Sequence, residues 1–210
     1  MSGTRRPSTV TLPVGLTIAG SDSGGGAGIQ ADCKTMEAME TFATSAVTSV
    51  TAQNTTGVES THVLPSDEVA AQIDAVRSDF DVRAVKTGML AAEPIVELVA
   101  DVAAESAAPV VVDPVMVAAS GDRLLDEGAE TTYEALISNA AVVTPNADEA
   151  AVLTDVDVTD ESSAREAGRR LVESGATAAL LKGGHVEGDV VRDVLVTADD
   201  VETYEHPRVA

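Results

Sequence analysis

Residues Ile18 to Lys34 read IAGSDSGGGAGIQADCK, and the rest of the chain is organised around them. Ahead of this stretch, Val14 to Ala19 is an apolar, partly β-branched run of the kind that forms a buried strand. It stops at Gly20, passes Ser21, Asp22 and Ser23, and enters three consecutive glycines, Gly24 to Gly26. From Ala27 the residues favour helix, with Ile29, Cys33 and Met36 spaced to fall near one face. Strand, glycine loop and helix together let backbone approach a ligand closely and aim helix N–H groups at it. The same glycines also suit a plain tight turn, and on the glycines alone the two readings stand level.

With 210 residues the chain can bury one good core, and 44% hydrophobic content excludes a disordered tail. No apolar run reaches membrane-spanning length. The opening MSGTRRPST has two arginines and no apolar segment behind them. Residues 1–13 are therefore expected to be a flexible extension, 14–210 a single domain, and the protein cytoplasmic. Cys33 is the only cysteine, which excludes internal disulfides and thiolate zinc sites and suggests a small buried hydrophobe.

Charge is the loudest compositional signal: 35 Asp plus Glu against 13 Lys plus Arg, a formal net charge of −22. That field opposes nucleic acid and anionic membrane as partners. With no Trp and 2% aromatics, a dense acidic surface over small side chains suits a halophile's salt-rich cytoplasm. Only three lysines occur, Lys34, Lys86 and Lys182, each beside glycine or at the end of a predicted strand or the first helix. They are the places where an anionic or phosphorylated ligand could be held.

Further along, strands are expected at Phe42–Ala52, Val58–Val63, Val82–Val85, Pro109–Val112, Ala141–Val143 and Ala178–Leu181. An antiparallel pair, Val190–Thr197 and Val201–His206, closes the chain. Helices are expected from Ser66, as a cap, to Arg77 with Val69, Ile73 and Val76 buried, and from Pro94 through Ile95 to Ala104. Others follow over Glu127–Ile137, from Asn146, and from a cap at Thr159 or Asp160 to Ser174, stopped by Gly175. This alternation implies a mainly parallel sheet with helices on both faces. Ligands bind such sheets beyond the carboxyl ends of the strands. The segments AGSDSGGG, QNTTG, KTGML, DPVM, TPNADE and KGGH each fall just after a predicted strand, so they converge on one edge.

Three nucleotide and metal signatures fail. There is no P-loop motif. Gly26 to Ala31 fits G-x-G-x-x-A, yet the acidic residue required about 20 positions on is missing between Glu40 and Glu59. His62, His185 and His206 are too scattered to suggest a metal centre.

TIAGSDSGGGAGIQAD, VTSVTAQNTTGV, KTGML, VVDPVM, VTPNADEA and LLKGGH, in this order, closely resemble the hydroxymethylpyrimidine/phosphomethylpyrimidine kinases of thiamine biosynthesis. These belong to the ribokinase-like superfamily, and the resemblance runs from about Leu16 to the end. It implies a three-layer α/β/α sandwich and transfer of phosphate from Mg-ATP to a hydroxymethylpyrimidine and then to its monophosphate. By the same resemblance Gly20, Asp32, Gln53, Met89 and Val115 form the pyrimidine pocket. Lys182, with Gly183 and Gly184, contacts ATP phosphates, and Asn146 and Glu149 sit near them, Glu149 organising Mg²⁺ through water. From spacing alone, Asn146 and Glu149 read better as a helix capping box. A homodimer is also implied. Pyridoxal kinase-like activity and a non-catalytic pyrimidine-binding module are the alternatives.

The chain departs from the family pattern in two places. Glu40 and Ala43 stand where the family carries glycines. The family also continues past the position of Ala210 into a His-Gly-Thr-Gly-Cys type loop that forms an anion hole, and into closing helices. The expectation is a C-terminally incomplete domain with weak or absent turnover and exposed apolar sheet surface.

Overall fold

The computed structural model describes residues 11–116, 129–185 and 189–208. In chain order these form β1 (Val14–Asp22), α1 (Gly28–Ala38), β2 (Phe42–Asn54), β3 (Gly57–Val63), α2 (Ser66–Asp79) and β4 (Val82–Thr87). After them come α3 (Glu93–Glu105), β5 (Val110–Val112), α4 (Ala129–Ile137), β6 (Val142–Val143) and α5 (Ala147–Thr154). The last are α6 (Glu161–Glu173), β7 (Ala178–Leu181), β8 (Val190–Thr197) and β9 (Val201–Pro207). All the strands join one nine-stranded sheet in the order β3-β2-β1-β4-β5-β6-β7-β8-β9. The six inner strands from β2 to β7 run parallel, and β3, β8 and β9 add antiparallel edges.

β1 explains why its sequence shows no polar alternation. It lies between β2 and β4 and is covered on both faces, so Leu16, Thr17, Ile18 and Ala19 are all fully buried. Leu16 and Ile18 join the core with Val69 and Ile73 of α2. Thr17, between them, points the other way and donates to Asp32 of α1 at 2.6 Å. Helices therefore lie on both faces. At the far side of the sheet α6 packs on β7 and β8 through Gly168, where an added Cβ would lie 2.5 Å from Val196 and 2.9 Å from Leu181.

Local expectations are corrected for the cap of α2 and for the burial of Val76 and of the apolar face of α1, and of the two caps offered for α6 one is found. Ser66 is the first residue of α2 rather than its cap; Pro65 holds that position without a side-chain bond, and Asp67 and Glu68 supply favourable charge to the first turn. Val76 of that helix is half-buried, while Val69 and Ile73 are buried. Ile29, Cys33 and Met36 are likewise half-buried, because α1 buries no residue fully. Burial, and then the charges of Asp32 and Glu37, push the Cys33 thiol above its ordinary range. Asp160, not Thr159, caps α6 by accepting from Ser163 N at 2.8 Å. The predicted start of α4 at Glu127 lies outside the described residues. No helix among the described residues is long and apolar enough to cross a membrane.

Candidate active site at the carboxyl ends of the parallel strands

The glycine loop after β1 is shaped by its own aspartate. Asp22 is buried, and its carboxylate accepts N–H groups from Gly24 at 2.7 Å, Gly26 at 2.9 Å and Ala27 at 2.8 Å. Burial opposes ionisation of this carboxyl, but the bonds from Ala27, Gly24, Gly26 and Gly25 together hold it below the usual carboxylate range. Lys34 completes the loop by donating to Gly25 O at 2.8 Å. The amides that could have met a ligand anion are thus turned onto an internal one. The glycines serve close packing: Gly28 stands at φ +57°, and a Cβ there would lie 2.4 Å from Gly20 O.

Beside this loop lies a cavity of about 350 Å³, within the range of roughly 300–1,000 Å³ common for small-molecule sites. Gly20, Asp32, Gln53, Met89 and Val115 all line it, although they come from β1, α1, β2 and the segments after β4 and β5. Gly20 is required by its neighbours, since a Cβ would lie 2.4 Å from Met89 Cε and 2.7 Å from Ser49 Oγ. Met89 is anchored through its carbonyl, which accepts from Gly20 N at 3.1 Å and Thr48 Oγ1 at 2.7 Å. Gln53 is clipped to the glycine loop by Ser23, whose hydroxyl donates to Gln53 O at 2.6 Å and accepts from Gln53 N at 2.8 Å. Asp32 accepts from Thr17 and lies 3.0 Å from Lys86 Nζ. The wall thus presents carboxylate, amide and ammonium groups beside the apolar Met89 and Val115.

A second group of residues sits further along the same edge. The backbone of Lys182 follows β7 and donates to Pro145 O at 2.8 Å. Its Nζ lies 2.8 Å from Asp113 Oδ1 and 3.7 Å from Glu149 Oε2. Asn146 and Glu149 form a complete capping box for α5: Asn146 Oδ1 accepts from Glu149 N at 2.9 Å, and Glu149 Oε2 accepts from Asn146 N at 2.7 Å. Capping therefore holds as spacing suggested, and it leaves the same carboxylate facing Lys182. Gly183 is buried and donates to Asp193 Oδ1 at 2.8 Å; a Cβ there would lie 2.0 Å from Arg192 O. Gly184 is exposed with open space around it. Beneath this group lies the buried hydroxyl of Tyr133, which burial and the charges of Asp113 and Glu149 push far above its ordinary range. A cavity of about 170 Å³ borders Lys182, Gly183, Ala147 and Arg192.

This donor set suits a polyphosphate and a hard cation. Lys182 offers a half-exposed ammonium, and Asp113 and Glu149 place two carboxylates within its reach. Among the described residues no three His, Cys, Asp or Glu side chains stand close enough to cage an ion. One or two carboxylates fit a cation that retains its waters.

Asp22, Ser23 and Asp113 lie in the AGSDSGGG and DPVM segments that the sequence brings to this edge, but their individual contacts are not legible there. Lys86, one of the three scarce lysines, pairs with Asp113. Their pairing depends on side chains reaching across neighbouring strands, which no local pattern records.

The phosphomethylpyrimidine kinase family matches residues 22–210. The hydroxymethylpyrimidine/phosphomethylpyrimidine kinase of Streptomyces coelicolor is 49% identical over 201 residues, covering 95% of this chain and 74% of that protein. Among solved structures, the phosphomethylpyrimidine kinase of Clostridium difficile has a TM-score of 0.84 at 38% identity, covering 91% of this chain and 84% of its own. The pyridoxal kinase of Staphylococcus aureus in complex with AMP-PCP and pyridoxal has a TM-score of 0.85 at 30% identity, covering 94% and 72%.

Proposed function

The chain belongs to the phosphomethylpyrimidine kinase family, and from that premise we propose how its residues divide the work of phosphorylating a hydroxymethylpyrimidine in thiamine biosynthesis. The substrate is 4-amino-5-hydroxymethyl-2-methylpyrimidine, followed by its monophosphate. Gly20, Asp32, Gln53, Met89 and Val115 hold the ring, with Asp32 and Gln53 matched to its amino and ring-nitrogen edge and Met89 and Val115 to its apolar parts. Lys182, with the exposed backbone of Gly184, orients the nucleotide phosphates, and Gly183, whose N–H is held by Asp193, fixes the turn between them. Asn146 fixes the helix start that carries Glu149, and Glu149 holds water around Mg²⁺. Mg-ATP supplies the phosphoryl group and neutralises its charge, so the residues contribute mainly position and electrostatic stabilisation. The protein works in the cytoplasm, as a homodimer.

One observation carries this reading. Five residues spread from Gly20 to Val115 line one cavity, and the Lys86–Asp113–Lys182 line of charges runs from that cavity to Glu149. Calorimetric titration of the folded chain with hydroxymethylpyrimidine in molar KCl tests it. Saturable binding is expected, weakened about tenfold by Gln53→Ala, close to the upper value of about 1.5 kcal/mol for one neutral hydrogen bond. No binding by a folded chain would overturn the pyrimidine assignment. Pyridoxal is the second reading, favoured by the likeness to a kinase solved with that ligand. Tighter binding of pyridoxal than of the pyrimidine would promote it.

A further inference from the structure

Two of the chain's three lysines meet on one carboxylate. Lys182 Nζ lies 2.8 Å from Asp113 Oδ1 and Lys86 Nζ lies 3.7 Å from Asp113 Oδ2, so each oxygen faces a different ammonium. Lys86 also lies 3.0 Å from Asp32 Oδ1, and Lys182 lies 3.7 Å from Glu149 Oε2. Charges therefore alternate from the ring cavity to the capped start of α5, through Asp32, Lys86, Asp113, Lys182 and Glu149. None of these side chains is more than 40% exposed, so water screens the line only in part.

The sheet explains the arrangement. Lys86 is on β4, Asp113 directly follows the adjacent β5, and Lys182 follows β7, two strands further on. Asp113 N donates to Thr87 O at 3.1 Å, which fixes the aspartate beside the end of β4. Of the five, only Asp113 stands midway. With 35 acidic residues in the sequence, convergence of two scarce lysines on one of them calls for a specific reason.

We propose that Asp113 is a positioning residue shared by the two ends of the site, and that it couples their occupancy. A phosphate arriving at Lys182 competes with Asp113 for the ammonium. Asp113 then draws harder on Lys86, Lys86 loosens from Asp32, and the Asp32 carboxylate is released to the amino group of a ring. Linkage makes the effect reciprocal: whichever ligand enters first strengthens binding of the other by the same factor. The ligand identities rest on the kinase reading above; the shared pairing does not.

Two measurements test it. Titration of hydroxymethylpyrimidine with and without Mg²⁺ and AMP-PCP should show binding at least about fivefold tighter in the presence of nucleotide, within the common range of such couplings. In Asp113→Asn that factor should fall below twofold, and Asp113→Glu should restore part of it. Coupling that survives in Asp113→Asn, or is missing from the native chain, would overturn the proposal. The second measurement needs no ligand: acylation rates of Lys86 and Lys182, read by mass spectrometry of separate peptides with Lys34 as internal reference. Asp113→Asn should speed both severalfold. Lys86→Met should slow Lys182, which then has Asp113 to itself, and this arm stands even if Asp113→Asn fails to fold. An unchanged Lys182 rate in Lys86→Met would refute the shared pairing. If the native chain bound neither ligand, the kinase reading and the coupling would fall, and the labelling would still decide whether the two lysines share Asp113.

Discussion

Gly28→Ala exposes the reading of the glycine loop to a clean test. Gly28 opens α1 at φ +57°, a left-handed conformation that costs an L-residue about 1–2 kcal/mol. The added Cβ would lie 2.4 Å from Gly20 O, 3.1 Å from Asp22 N and 3.3 Å from Gly20 C, and all three atoms are backbone. No rotamer change relieves such a contact. α1 must move away from β1, and overpacking of that sort costs roughly 1–3 kcal/mol. The expected loss is therefore about 2–5 kcal/mol, out of the roughly 5–15 kcal/mol that holds a typical domain together. Gly26→Ala is the control, because its Cβ would meet nothing nearer than Asp22 Oδ2 at 3.8 Å. It should stay within about 0.5 kcal/mol of the native chain. Urea unfolding followed by circular dichroism in high salt separates the two, provided the slope is unchanged. A native midpoint for Gly28→Ala would refute the packing argument. If ligand affinity fell in Gly28→Ala while stability did not, the loop would return to the ligand-cradle reading.

Glu40 stands at φ +56°, a left-handed conformation that favours glycine, so Glu40→Gly should stabilise the chain by about 0.5–1 kcal/mol and raise the thermal midpoint by about 1–4 °C; a lower midpoint would show that the glutamate side chain compensates for its backbone. Asp22 gives a pH-dependent prediction. Its folded-state carboxyl lies below the ordinary value near 3.9, so the stability it contributes is complete above that value and is lost as pH falls through the lower, folded one. Asp22→Asn should therefore unfold more easily than the native chain at neutral pH, with the gap closing on acidification. A gap as wide at pH 2 as at pH 7 would rule out the ionised carboxylate as its source.

The architecture was legible because parallel strands announce themselves as apolar runs bounded by turn residues, and because their shared direction forces every following loop onto one edge. Where reading failed, the cause was local and physical. Ser66 is a good capping residue by type, but the chain turns helical one position earlier than a Ser66 cap requires, so Pro65 takes the role. The residues lining the cavity of about 350 Å³ are different: Asp32 alone reads as a solvated helix position and Met89 as ordinary core, so only the family resemblance groups them in the sequence, and the fold brings them to one cavity. Asp113 and Lys182 are 69 residues apart, and their contact requires both side-chain length and strand order. The glycine loop was undecidable for another reason. Turn and cradle use the same glycines, and the deciding fact is which anion occupies the amides, here Asp22.

A common logic runs through these motifs. One Glu149 oxygen faces two ways, 2.7 Å from Asn146 N in the capping box and 3.7 Å from Lys182 Nζ. Capping fixes the carboxylate on this edge, where the Lys182 ammonium faces it. Gly183 repeats the pattern, since close approach to Arg192 O demands glycine at the position where backbone turns away from β7. Ser23 does so again, spending its hydroxyl on the Gln53 backbone, while the Gln53 side chain accepts from Thr51 Oγ1 at 3.2 Å and lines the cavity. In each case the backbone is satisfied first, and what faces the cavity is the part left over. Net charge sharpens the consequence. In a chain of formal charge −22, an anionic nucleotide meets repulsion everywhere except where cations are concentrated. Two such cations, Lys86 and Lys182, stand on this edge, and Asp113 between them, 3.7 Å from one and 2.8 Å from the other, is the carboxylate with which any anion reaching Lys182 must compete.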